Sequence, residues 1–470
     1  MPKSSSSTSS RSTPPASAVP PGSGFATSLP AALQRLVSPE ACAAAFRAHT
    51  PHARGLPAKI TAWQLILSMI AQALAGSGEL ALHVWRMTDV SLSNAALSLR
   101  RRTAGWSVFA TILEQALRPL AEPARHPGAF HAGLRLVAID GTEHSLTNTP
   151  RVLQRLKKAA ARRACAAFAK LRTCVLLELH AHNPLRVAPG LHGESELALA
   201  RTLFSHLPAA CLLLVDRLYG VPVVVHELLT VMQTRGSHLL VRVRSNIKAT
   251  VERTLRDGSA LITVPVPVKG TPRRHWPKLT LREIRGRVQR ANGTWSEVRL
   301  WTSLTDAAAH PAKGLLALYG QRWEHELYYR ELKQVMQGGA GLLRGHSVES
   351  AAQELACVIM ASALLARGRL ETAEGLGTGA PRVSLRRVRA LVEPLWLILE
   401  AGEGLLSAAQ TEQLVARITA LMQREALLPE RRPRRCARAV RAPVSKWPRL
   451  LTRNDAKGRP VLKITRIAKS

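Results

Sequence analysis

The stretch YGQRWEHELYYRELK, Tyr319 to Lys333, carries four side chains whose types and spacing suit the handling of phosphate. At 100° per residue, Tyr319, Arg322, Glu326 and Lys333 project to about 0°, 300°, 340° and 320°, so one helical face about 60° wide holds them all. A carboxylate there can bind a metal, the two cations can grip DNA phosphates on either side of a scissile bond, and the phenol can hydrogen-bond a phosphate oxygen. The plainer alternative is an exposed helix with Glu326 tied to Arg322 and Arg330, pairs worth about 0.2–0.5 kcal/mol each. Two more acids decide between these readings. Asp140 follows LRLVAI and Asp216 follows CLLLV. Each is expected at the carboxyl end of a strand, where open α/β sheets gather side chains into a shared crevice. Three carboxylates in one place repel one another and are tolerable when divalent cations neutralise them.

The elements that must position these groups can be read along the chain. Residues 1–27 are rich in Ser, Pro and Thr and read as a disordered leader. Residues 28–125 show Leu, Ala and Ile at helical spacing with no strand signal, with helices expected over 61–75, 79–87 and 91–102. The last of these ends in Arg100, Arg101 and Arg102, a tip suited to docking on DNA or, equally, to a solvated helix end. Residues 130–244 and 306–370 form the expected α/β core, with strands at 134–139, 173–182 and 211–215, a helix at 195–205 and another from Pro222. Between them, 245–305 reads as β-rich, and Asn292-Gly293 marks a hairpin. Helices are expected at 311–336 and 350–366, a helical region over 371–429, and a basic tail over 430–470.

Bulk composition narrows the partner. Lys and Arg number 66 against 31 Asp and Glu, a formal charge of +35. Such a field attracts polyanions, and 470 residues suffice for two or three domains. The longest apolar run, Trp63 to Ala75, is broken by Gln64, Ser68 and Gln72 and is shorter than the roughly 20 residues a bilayer needs. No membrane anchor and no export signal are expected, which fits a cytoplasmic location, and charge together with size favours nucleic acid over a lipid surface as the partner. Cys42, Cys165, Cys174, Cys211, Cys357 and Cys436 form no C-x-x-C pair, which fits a reducing compartment. His180 and His182 alternate along a strand, without a third partner that would make them metal ligands. Glu143 reads as a surface carboxylate in a turn, with service as a ligand beside Asp140 as its alternative, and Glu196 as a capping or charge-balancing residue rather than a catalytic one.

Tyr319, Arg322, Glu326 and Lys333 meet the pattern Y-x(2)-R-x(3)-E-x(6)-K, which resembles the signature of the insertion-sequence-4 family of DDE transposases. IDGTEHSL around Asp140 and LLLVDRLYG around Asp216 look like that family's first and second catalytic segments. LLRGHSVESAAQEL, from Leu342, resembles its downstream segment, with Gly345 where relatives often have Ser. SLSNAALSLRRR is similar to part of its amino-terminal domain. The resemblance implies an α/β, ribonuclease-H-like catalytic core with a β-rich insertion, preceded by an all-helical N-terminal domain. It implies two Mg2+ ions, with Mn2+ able to substitute, Asp140 bridging both and Asp216 and Glu326 completing one site each. It also implies a homodimer that holds two element ends of double-stranded DNA in a synaptic complex, cleaves them and joins their 3′-hydroxyls to target DNA. Arg344 and the basic run from Arg151 to Arg172 are expected phosphate contacts, and Trp301 is a candidate for stacking on an extruded base, with core packing as its alternative. A ribonuclease-H-like nuclease or resolvase, and a non-catalytic DNA-binding regulator derived from a transposase, are the competing functions.

Overall fold

CLLLV and its neighbours become strands because their apolar side chains alternate between two buried faces. The computed structural model describes residues 28–50, 59–76, 78–158, 166–289, 295–337 and 342–429. The expected leader, the basic tail and the Asn292-Gly293 turn lie outside them.

The chain opens with helices α1 (Leu29–Leu36), α2 (Pro39–His49), α3 (Ala62–Ala75), α4 (Leu80–Thr88) and α5 (Asn94–Ala116). Ser38, Thr61 and Ser93 cap α2, α3 and α5 by accepting the amides of Ala41, Gln64 and Ala96. The expected end of the third helix at Arg102 falls close to a break in the helical backbone. Helix α5 kinks at Gly105 (φ 62°, ψ −173°) and continues, because Val108, Phe109, Ile112, Leu113 and Ala116 keep the buried spacing going. Arg100, Arg101 and Arg102 thus lie near the end of the first segment of α5, just before the break.

Strands β1 (Phe130–His131) and β2 (Leu134–Leu146), helix α6 (Pro150–Arg155), strands β3 (Lys170–Glu178) and β4 (Asn183–Pro189), helix α7 (Glu196–Phe204), strand β5 (Cys211–Val215), helix α8 (Pro222–Gln233) and strand β6 (His238–Arg242) follow. Then come β7 (Thr250–Thr254), β8 (Ala260–Pro265), β9 (Lys278–Gln289) and β10 (Trp295–Thr302). Helices α9 (Ala312–Tyr319) and α10 (Trp323–Glu331), strand β11 (Leu342–Leu343), and helices α11 (Val348–Gly375), α12 (Leu385–Ala401) and α13 (Ala408–Ala426) complete the described chain.

One mixed sheet runs in the order β4-β3-β2-β5-β6-β10-β9-β8-β7, with β1 and β11 also on β2. Strands β2, β5 and β6 are parallel, β3 runs antiparallel to β2, and β4 runs antiparallel to β3. The β-rich segment does not stand apart. It pairs onto β6 through β10, Leu300 opposite Arg242, and extends the same sheet as an antiparallel meander.

Two hydrophobic clusters sandwich this sheet. Leu136 and Ala138 of β2 and Leu212 and Leu214 of β5 belong to one, with α3, α5, α10 and α11. Val137, Ile139, Leu213 and Val215 belong to the other, with α7 and α8. Helix α11 is the one described helix long and apolar enough to cross a membrane, but 83% of its apolar window is buried in this molecule, as in the central helix of a core.

Candidate active site

Strand parity brings the first two acids to one face. Asp140 keeps step with Leu136 and Ala138, and Asp216 with Leu212 and Leu214, so both project toward the cluster on which α10 packs. The expected placement of Asp140 at a strand end needs correction. Strand β2 runs on to Leu146, paired with β3, and Asp140 lies where β2 outruns β5, whose pairing with it stops at Ala138–Leu214. That overrun is what opens a crevice beside an acid in mid-strand.

Asp216 sits in a turn just past β5, where Oδ1 accepts the Leu218 amide at 2.7 Å. Gly220 closes this turn against β6. A Cβ there would stand 2.1 Å from the Arg242 carbonyl oxygen, so only glycine lets the loop lie this close.

The signature stretch is a helix in three registers. Helix α9 passes through a 3-10 turn at Gly320–Arg322 into α10, which ends in a π-helical turn at Leu332–Met336. These turns alter the ideal projection, yet the functional face still meets the crevice. The Tyr319 hydroxyl donates to the Val215 carbonyl at 3.2 Å, one residue before Asp216. Arg322 bridges two acids, with Nη1 3.3 Å from Asp140 Oδ2 and Nη2 2.6 Å from Glu326 Oε1. Lys333 Nζ donates to Thr142 Oγ1 of β2 at 2.6 Å. Tyr329 and His325 pin the helix from below, donating to the carbonyls of Asp140 at 2.6 Å and Val175 at 3.0 Å.

Electrostatics mark the site as short of positive charge. Burial pushes the Asp140 carboxyl up to about 7; Glu196 and Asp216 add to the rise, and the Gly141 amide and Arg322 oppose it. Burial works against the Arg322 charge too, but Glu326, Tyr319 and Asp140 outweigh it and hold the guanidinium firmly charged. Burial and then the charge of Lys170 lower Lys333. The Lys170 amine itself donates to Ser145 Oγ at 2.7 Å on the same strand.

Among the described residues, no three acid, imidazole or thiol side chains converge closely enough to hold a metal ion as they stand. The donor chemistry nevertheless suits a hard divalent cation, since the crevice offers carboxylate oxygens in mutual repulsion. Arg322 occupies the place between Asp140 and Glu326 where such a charge is needed.

Sequence reasoning undervalued Glu196. It begins α7 behind the Ser195 cap, accepts the Tyr219 hydroxyl at 3.2 Å and adds its charge to those of Asp140 and Asp216. It lies so close to β2 that a Cβ on Gly141 would stand 2.5 Å from its Cδ. Its signals in the sequence are its likeness to a recurrent family position on the helix before Asp216 and the glycine directly after Asp140.

The other expected contacts fall elsewhere. Trp301 is fully buried, its indole N–H on Glu283 at 2.9 Å, so it offers no face to a base, and the core-packing alternative describes its place. Arg100 donates to the Ile60 carbonyl and lies over Phe46, while Arg101 donates to the Ser350 carbonyl at 2.7 Å, joining α5 to α11. Arg344 donates to the carbonyls of Gly76 and Gly78. Exposed Arg102 lines, with Arg344 and Arg151, a cleft of about 360 Å³ that shares no residue with the acids. Glu143 pairs with Arg172 at the surface, 2.8 Å apart. His182 is buried between Glu331 and Glu324, at 2.8 and 2.9 Å, and is a structural residue here.

A mixed sheet that brings Asp140 of β2 and Asp216 just past β5 toward a helix bearing Glu326 is consistent with the core of a DDE transposase. The family model described as "Transposase DDE domain" matches residues 131–364, which contain all three acids. The chain is 28% identical over 325 residues, 68% of its length and 71% of the relative's, to "Transposase InsG for insertion sequence element IS4" of Escherichia coli (strain K12). These two similarities support an insertion-sequence-4 family DDE transposase.

Proposed function

We propose that this protein cuts the ends of its own insertion sequence and joins the freed 3′-hydroxyls to target DNA. The observation that carries this reading is the Arg322 bridge, which brings the signature helix, Asp140 and Glu326 together in one crevice beside Asp216. Asp140, Asp216 and Glu326 are the proposed ligands of two Mg2+ ions, or Mn2+ in their place, which when bound activate the attacking oxygen and stabilise the leaving one. Arg322, released from its two carboxylates, has a planar fork ready for the scissile phosphate. Lys333 and Lys170 line β2 beside it and suit a neighbouring phosphate. Tyr319 holds the Val215 carbonyl and so steadies Asp216. The sheet order β4-β3-β2-β5-β6, with β3 antiparallel, supports a ribonuclease-H-like core. Double-stranded DNA, a homodimer in the synaptic complex and a cytoplasmic location belong to the same proposal.

The test is to incubate the protein with Mg2+, a linear DNA carrying the element end and a supercoiled target plasmid. Target joined to the element's 3′ strand is the expected product. Cleavage without joining would instead assign the chain to the nucleases or resolvases, and binding without cleavage to the regulators.

A further inference from the structure

A second basic cleft, of about 910 Å³, opens where β6 ends and the β9–β10 hairpin rises beside it. Arg217, Arg242, Arg244, Arg285, Arg287 and Arg299 line it. Their carboxylate partners are few. Glu283 lies buried beneath and takes both Arg285 and Arg299, at 2.6 Å each, while Glu297 stands 3.5 Å from Arg287 with both side chains largely exposed. Arg217, Arg242 and Arg244 have no ion pair among the described residues. Guanidinium groups gathered this densely repel one another until an anion arrives.

The position of the cleft says which anion. Arg217 directly follows Asp216, and the Arg242 charge acts on the Tyr319 hydroxyl of the signature face. Leu316 of α9, one turn before Tyr319, packs so closely over Gly286 in the cleft wall that a Cβ there would stand 2.3 Å from its Cδ2. A polyanion lying here therefore continues from whatever phosphate occupies the acid crevice. We infer that this arginine-lined cleft is a binding track for the sugar–phosphate backbone of the substrate DNA next to the scissile phosphate. The track rests on the DNA-cleaving function proposed above and assigns the β-meander a substrate-holding part in it. Arginine forks match phosphate oxygens without reading bases, so the track fixes position and carries no sequence preference.

Arg244→Ala with Arg287→Ala removes two guanidiniums from the cleft and touches none of the acid or signature residues. Arg253→Ala with Arg256→Ala is the control, taking the same charge from exposed positions of the meander that do not line the cleft. Binding is followed without divalent metal, by anisotropy of a labelled duplex spanning the element end and its flank, over a range of salt. Each lost phosphate contact lowers the slope of log affinity against log salt by about 0.9, so the cleft variant is expected to lose about two units. The control is expected to keep the wild-type slope. An unchanged slope in the cleft variant, or an equal loss in the control, would overturn the track. A free nucleoside triphosphate that binds wild type but not the cleft variant, with duplex slopes unchanged, would reassign the cleft to a small phosphate ligand. A flat salt profile in the wild type would count against the DNA-cleaving function as a whole.

Discussion

Replacing Arg369 with Leu should unfold the protein at markedly lower temperature and weaken the active site with it. Arg369 rises from α11, its side chain 1% exposed, and is paired with Glu331 of α10. Glu331 also receives His182, which donates through its other ring nitrogen to Glu324, again on α10. Two carboxylates and two cations thus balance around the helix that carries Arg322 and Glu326. Removing one partner of a buried pair strands the other, at a cost of about 3–5 kcal/mol. At about 2 °C per kcal/mol for a large chain, the melting temperature should fall by about 6–10 °C. Adding Glu331→Gln removes the stranded charge and should restore about half of that loss or more.

The pH dependence has a definite sign. Burial opposes the Glu331 charge, but Arg369 and His182 outweigh it and bring the carboxyl down to about 2, from 4.5. Its stabilisation is therefore complete above about pH 4.5 and is lost as pH falls toward 2. Burial opposes the His182 charge as well, but its carboxylate neighbours win and raise it above 6.5, so its share is complete below about pH 6.5 and is lost at higher pH. Calorimetric melting of wild type and both variants from pH 3 to 9 is the assay, with the gap between wild type and Arg369→Leu opening as pH rises from 3 to about 4.5 and widening again at higher pH, where neutral His182 no longer offsets the stranded Glu331 charge. A single variant that melts within about 2 °C of wild type at pH 6, a loss near 1 kcal/mol by the same conversion, would refute this account of how α10 is held.

Gly220→Ala forces a Cβ to within 2.1 Å of the Arg242 carbonyl, so the Asp216 loop must shift. A displacement of about 1 Å at a catalytic group is expected to cost about 10²-fold in cleavage, with DNA affinity kept, as gel-shift and cleavage assays on one preparation would show. Mg2+ binding at pH 7 should release about half a proton, because the Asp140 carboxyl is held near 7 and must ionise to bind the ion. Calorimetry in buffers of different ionisation enthalpy measures this release, which should vanish by about pH 9 and in Asp140→Asn.

Much of this was legible in the residues. Two-faced apolar runs marked β5 and the start of β2, and helical spacing marked α3, α7 and the middle of α11. The signature face came from helical spacing, Asp140 and Asp216 from the apolar runs that precede them, and the family resemblance joined the three acids. What stayed hidden depends on contacts between distant elements. Strand β2 extends past Asp140 because β3 supplies partners there, which no local pattern reveals. Arg100 and Arg101 resemble a DNA-facing tip until α11 and Phe46 take them inward. Trp301 lies deep because β10 is flanked by β6 and β9, with Glu283 beside its indole. Glu196 approaches Asp140 only through the missing side chain of Gly141.

The central claim is that Asp140, Asp216 and Glu326 act together on one phosphate. Its most direct test is cleavage of labelled element-end DNA in Mg2+ by Asp140→Ala, Asp216→Ala and Glu326→Ala, with DNA binding measured on the same preparations. Each change is expected to reduce cleavage by more than about 10²–10³-fold, at least the effect of losing one electrostatic stabiliser, while binding persists. Any one of the three that cleaves at the wild-type rate would contradict the claim.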